Sequence, residues 1–264
     1  MTEQVADVGV IGGSGLYALL SEATEHRLDT PYGEPSDPIV VGRVGDRRVA
    51  FLPRHGRDHR YPPHRIPYRA NLWALRSLGV RQVLAPCAAG SLTPAHGPGT
   101  FVLPDQLIDR TSGRVQTYYD SGAAHVSFAD PYCPVGRATV RKAAEQSTVD
   151  IVDGGTMVVI EGPRFATRAE SRWYAAAGAT LINMTGHPEA VLARELALCY
   201  TSIALVTDLD AGIEVGDGVS QDEVFRVFAA NTERMRGLLL TAAAALPGSR
   251  DCACQHALDG IDVP

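Results

Sequence analysis

Short apolar runs bounded by glycine or proline alternate with stretches whose apolar positions recur at helical spacing, along most of the 264 residues. That alternation predicts an α/β sheet, because a strand sandwich would carry the two-residue period throughout. Strands are expected at Val8–Ile11, Val49–Pro53, Val83–Pro86, Thr156–Ile160, Thr180–Asn183 and Ser202–Val206. Helices are expected at Tyr68–Leu78, Gly136–Glu145, Arg168–Ala176, Pro188–Ala197 and Asp222–Ala245. The last is entered by Ser220 as N-cap, with Glu223 at the capping-box position. No repeat, low-complexity segment or Gly/Ser linker divides the chain, which reads as one domain over residues 1–248 followed by a tail, 249–264. Between about residues 105 and 135 a polar, aromatic segment lacks a clear period and is read as a long functional loop or an oligomer contact.

Composition removes several function classes. With 24 basic against 30 acidic residues the formal charge is −6, which disfavours a nucleic-acid backbone binder, since such binding depends on neutralising phosphates. The basic residues therefore matter locally. No apolar run approaches the roughly 20 residues that span a bilayer, and Met1-Thr2-Glu3-Gln4 lacks the basic start of a signal peptide, so a cytoplasmic location is expected. Five scattered cysteines do not resemble a disulfide framework. Cys87 and Cys199 lie in apolar runs and suit a core or a site lining. Cys252-Ala253-Cys254 reads as an exposed tail pair or a thiol-exchange pair; a zinc site would need a second ligand pair, and none is near in sequence.

The turns after the apolar runs carry the chemistry. In Gly12-Gly13-Ser14-Gly15 the glycines let backbone N–H groups approach an anion, and Ser14 adds a hydroxyl. A dinucleotide fingerprint would need an acid ending a second strand about 20 residues later. Asp29-Thr30-Pro31-Tyr32-Gly33 reads as a turn instead. His55, His59 and His64 could suggest a metal, but arginines 54, 57 and 60 would repel a cation and attract an oxyanion. Arg54 and His55, nearest the strand end, are the expected anion ligands. Pro86-Cys87-Ala88-Ala89-Gly90 is a further small-residue turn, suited to packing or to a site where strand ends converge. Phe165, Met184 and Thr185 could hold a base, a sugar and an anion, although Phe165 and Met184 equally suit a core. Thr207-Asp208-Leu209-Asp210 ends an apolar run with two carboxylates fit for base nitrogens.

These motifs, in this order, resemble the trimeric purine nucleoside phosphorylase family in its methylthioadenosine phosphorylase branch. The likeness runs from Ile11 to about Ala245 and includes Pro35-Ser36-Asp37, Tyr68-Arg69-Ala70-Asn71, Asp109-Arg110-Thr111, Glu161-Gly162-Pro163-Arg164-Phe165, Arg168-Ala169-Glu170-Ser171 and Asn183-Met184-Thr185. The resemblance implies a single domain with a central twisted mixed sheet flanked by helices. It implies a cofactor-free enzyme, with inorganic phosphate as co-substrate, that turns S-methyl-5′-thioadenosine into adenine and 5-methylthioribose 1-phosphate. It also implies a homotrimer, possible as a hexamer, binding a small nucleoside and neither nucleic acid nor membrane. Phosphate would be held by Ser14, Arg54, His55, the backbone of Ala88 and Thr185. Phe165, Asn183, Met184, Asp208 and Asp210 would surround the nucleoside, with Asp208 catalytic at N7, no metal, and the 5′ pocket closed by Val219 and by His125 of a neighbouring subunit. Two positions depart from the pattern: Cys87 replaces a common threonine, and Ala166 stands where relatives carry serine or, for 6-oxopurines, glutamate. Other purine nucleosides or 5′-substituted adenosines remain alternative substrates. A hydrolytic nucleosidase or a non-catalytic nucleotide-binding regulator would each reuse part of the same residue set.

Overall fold

The computed structural model describes residues 4–13, 21–122, 124–211, 213 and 218–261. Its strands are β1 (Val8–Gly12), β2 (Ser21–His26), β3 (Ile39–Val44), β4 (Arg47–Pro53), β5 (Gln82–Ser91), β6 (Phe101–Leu103), β7 (Gln106–Arg110), β8 (Ile151–Asp153), β9 (Thr156–Ile160), β10 (Leu181–Asn183) and β11 (Cys199–Leu209). The helices are α1 (Tyr68–Ser77), α2 (Pro134–Gln146), α3 (Arg168–Ala176), α4 (Gly186–Glu195), α5 (Gln221–Ala230) and α6 (Thr232–Ala245). All strands join one mixed sheet, ordered β2-β3-β4-β1-β5-β10-β9-β7, with β11 beside β5 and leading to β6 and β8.

The centre of the sheet is parallel and buried on both faces, which is why β1, β5 and β11 read as continuous apolar runs. Helices α1 and α4 cover one face through Leu72, Leu75, Leu192 and Leu196. Helices α2 and α6 cover the other through Val140, Ala143, Leu238 and Leu239. Strand β5 organises the crevice. Its beginning pairs with β1 at Gln82 to Leu84, and its end pairs antiparallel with β10 at Gly90 and Ser91. Between those ladders one edge of Ala85–Ala89 has no strand partner among the described residues, so Pro86, which has no N–H to donate, is tolerated there. The other edge stays paired with β11 until a register shift between Val206 and Asp208, where β11 gains one residue.

Three expectations are corrected. The segment 105–135 is not all loop, because β7 pairs with β9; as an exposed edge strand it lacks the apolar alternation that would have marked it. The helix expected over Asp222–Ala245 is two helices. Asn231 takes φ −111°, and its side-chain amide donates to Val227 O at 2.9 Å, ending α5 before α6 begins. Finally, Cys252-Ala253-Cys254 is not an exposed pair: Cys254 is 2% exposed and packs with Cys133 and Cys199. Helix α4 becomes regular at Pro188, as expected, since His187 keeps extended angles.

Candidate active site

The free edge of β5 opens into a cavity of about 610 Å³, the size of a small-molecule site. Arg54, His55, Ala88, Phe165, Asn183, Met184, Thr185, Asp208 and Asp210 all line it. Ser14 lies outside the described residues, although Gly13 before it faces the cavity. His125 is exposed and Val219 is half-buried, and neither lines the cavity within this chain.

The anion loop is less cationic at the site than its sequence suggests. Arg54 is 4% exposed and leaves the end of β4 to meet Glu189 of α4. Its Nε and Nη2 donate to the two oxygens of Glu189, each at 2.8 Å; Nη2 also donates to Ile11 O at 2.9 Å and Nη1 to Pro86 O at 3.0 Å. Tyr200 adds its hydroxyl to Glu189 at 2.7 Å. Burial opposes the guanidinium charge, but Glu189 more than restores it, so Arg54 stays protonated. With those bonds made, Arg54 has one N–H, on Nη1, without a partner among the described residues. Arg57 is drawn off to Asp37 and Glu25. Burial pushes His55 down to about 4, helped against by its bond to Tyr61 and further lowered by Arg54. The neutral ring must carry its proton on Nδ1, which lies 2.8 Å from the Tyr61 carbonyl, leaving Nε2 as an acceptor.

Across the cavity, the bulge in β11 sets two carboxylates beside Gly90. A Cβ at Gly90 would lie 3.0 Å from Asp208 Oδ1 and 3.3 Å from Asp210 Cβ, so glycine is what permits their approach. Asp208 Oδ2 accepts from Thr207 at 2.8 Å, while Oδ1 is buried without a partner among the described residues. Burial, opposed by the Thr207 hydroxyl and aided by Asp210, raises Asp208 to about 6. Asp210 is raised by burial too, against the hydroxyl that Ser171 of α3 donates to it. A carboxyl held toward its neutral form by burial and a second carboxyl fixed by Ser171 thus stand side by side.

Loops from β9 and β10 form the floor. Gly162, at φ +65°, brings the chain so near Met184 that a Cβ would lie 2.6 Å from its sulfur. The Nδ2 of Asn183 is buried and unpartnered, and the Thr185 side chain makes no cap bond to α4. Sequence reasoning missed three supports. Glu189 and Tyr200 hold Arg54, and Arg114, whose side chain is 3% exposed, donates to the carbonyls of Met184, His187 and Glu161. A charged residue in the apolar run after Pro188 was the only available signal for Glu189. Also missed was the wall from α5, where Val224, Phe225 and Phe228 face the cavity; their helical spacing marks an apolar stripe but not its partner.

Comparison with known proteins follows the same outline. A family profile described as the phosphorylase superfamily matches residues 7–244. The chain is 62% identical to a purine nucleoside phosphorylase of Streptomyces coelicolor, covering 97% of this chain and 96% of that protein. It is 60% identical to an S-methyl-5′-thioadenosine phosphorylase of Mycolicibacterium smegmatis, covering 97% and 98%. Among solved structures, a methylthioadenosine phosphorylase from an Antarctic soil metagenomic library superposes with a TM-score of 0.92 at 41% identity, over 98% of this chain and 93% of that one. A Schistosoma mansoni methylthioadenosine phosphorylase in complex with adenine gives 0.89 at 39%, over 93% of each.

Proposed function

Since the chain belongs to the phosphorylase superfamily, we propose that it cleaves S-methyl-5′-thioadenosine with inorganic phosphate, releasing adenine and 5-methylthioribose 1-phosphate. The observation that carries this reading is the pair of carboxyls, Asp208 half-buried and Asp210 buried, facing a neutral histidine and a fixed arginine across one cavity. A phosphate oxygen bonds to the anomeric carbon as the bond from that carbon to N9 breaks. The electron pair leaves with the purine, and protonated Asp208 gives its proton to N7, ending as a carboxylate. Bound phosphate stabilises the cation-like sugar.

Phosphate is held by Ser14, the backbone of Ala88, Thr185 and the Nη1 N–H of Arg54. His55, as an acceptor at Nε2, takes a hydrogen from the phosphate's own hydroxyl. Asn183 and Met184 support the sugar and Phe165 the base, while the oxygen of Asp210 not bonded to Ser171 accepts from the 6-amino group. No cofactor enters this scheme. Residues 1–248 make up the phosphorylase domain, with 249–264 as a tail. The active species is a homotrimer, in which His125 of a neighbouring subunit and Val219 close the 5′ pocket. The enzyme works in the cytoplasm in purine and methionine salvage, in keeping with the finding that no helix among the described residues is long and apolar enough to cross a membrane.

The relative named purine nucleoside phosphorylase favours a second reading, a wider nucleoside range. The deciding experiment measures base released from methylthioadenosine, adenosine and inosine with and without phosphate. The proposal requires release that depends on phosphate and favours methylthioadenosine. A 6-oxopurine preference would establish the second reading, and release without phosphate would make the protein a nucleosidase.

A further inference from the structure

Far from the cavity, four cysteines that are widely separated in sequence converge. Cys133 is the N-cap of α2, Cys199 opens β11, and Cys252 and Cys254 belong to the tail. Their sulfurs all lie within 4.8 Å of one another, with Cys199 to Cys252 at 3.4 Å and Cys133 to Cys252 at 3.8 Å. Zinc bound to four thiolates at about 2.3 Å has sulfurs about 3.8 Å apart along each edge of the tetrahedron. Cys133, Cys199 and Cys254 are 1%, 3% and 2% exposed. We infer that Cys133, Cys199, Cys252 and Cys254 form a structural zinc site that ties the tail to the body of the protein.

Two observations favour a metal over packed thiols or disulfides. First, Cys252 divides its contacts between Cys133 and Cys199, whereas a disulfide gives each sulfur one partner. Second, the surroundings are built for negative sulfur. The amide of Gly136 donates to Cys133 at 3.5 Å, Arg194 reaches Cys254 at 3.9 Å, and Arg250 reaches Cys199 at 3.9 Å. Four thiolates around a divalent cation leave two negative charges, and two guanidiniums stand beside them. The single residue between Cys252 and Cys254 is a tight spacing, met here by an extended Cys252, φ −154° and ψ 156°, ahead of a short 3-10 turn.

All four ligands are held and none of their positions is left for water, so the site is structural rather than catalytic. Cys199 and Asp208 sit nine residues apart on β11, about 30 Å of strand at about 3.3 Å per residue, so the sulfurs lie far from the carboxyls of the cavity. This inference stands independently of the substrate.

The test is metal analysis of the protein purified without chelator, beside the Cys252→Ser/Cys254→Ser variant. About one zinc per chain is expected in the parent and none in the variant. The variant should keep phosphate-dependent base release at moderate temperature and melt several degrees lower. Cobalt in place of zinc should give the visible absorption of tetrahedral thiolate coordination. The inference is overturned if the reduced parent neither contains zinc nor takes it up from zinc chloride. Iron in the site, a variant that keeps its zinc, or a parent mass lowered by the hydrogens of disulfide bridges would overturn it equally.

Discussion

Glu189 is a buried charge that turns to Arg54 and Tyr200. Replacing it with Leu strands the Arg54 guanidinium at 4% exposure, a loss of about 3–5 kcal/mol by analogy with broken buried pairs. Urea unfolding should report that loss, and adding Arg54→Leu should recover much of it while phosphate use stays poor. Recovery with the double substitution would separate the arginine's structural task from its ligand task. Asp208 offers a second test at this scale. Its folded pKa, raised to about 6 from 3.8, means that the protonated acid disappears as pH rises through 6. If that acid serves N7, kcat/KM declines above pH 6, and Asp208→Asn, much slower, loses the decline. The same shift has a sign for stability: the contribution is complete below pH 3.8 and is lost as pH rises through 6. Asp208→Asn should therefore melt higher than the parent at pH 8 and not at pH 4. Asp210→Asn makes the complementary case, since an amide can donate to a 6-oxygen; the ratio of efficiencies on methylthioadenosine and methylthioinosine should fall.

Single elements govern how closely these groups approach. Gly90→Ala would put a methyl 3.0 Å from both Asp208 Oδ1 and Ile182 Cγ2. The carboxylate end of the cavity must then give way, and kcat/KM should fall by more than the melting temperature suggests. The elements also differ in how legible they were. Strands buried on both faces, such as β5 and β11, announced themselves as apolar runs, although both extend beyond the runs because ladder bonds continue through Gly90, Ser91 and Asp208. The edge strands β2 and β7 did not, since solvent on their faces removes the alternation and only the neighbouring backbone defines them. Of the site, Arg54, Asp208 and Asp210 were legible because charge follows apolar sequence directly. Glu189, Tyr200 and Arg114 were not, because the partners that fix them, Arg54, Glu189 and Glu161, lie 135, 11 and 47 residues away in roles that only packing creates.

The whole molecule presents a cavity bounded on one side by the C-terminal helices, with His125 exposed elsewhere on its surface. A trimer that completes the site with a neighbour's His125 should lose activity on dilution in step with its mass by light scattering, and His125→Ala should raise KM for the 5′-substituted nucleoside without moving kcat for adenosine. Stability is not spread evenly over this body. Helix α6 buries Met235, Leu238, Leu239, Ala242 and Ala243, whereas α5 buries only Val227. The break at Asn231 separates them, so α5 is expected to open while α6 stays folded. In deuterium, the amides of α5 should exchange well before those of α6, and saturating nucleoside with phosphate should slow the first set while leaving the second unchanged. Should α5 exchange first, the wall of the cavity keeps its own clock, and ten residues rather than the whole fold would set how long product stays.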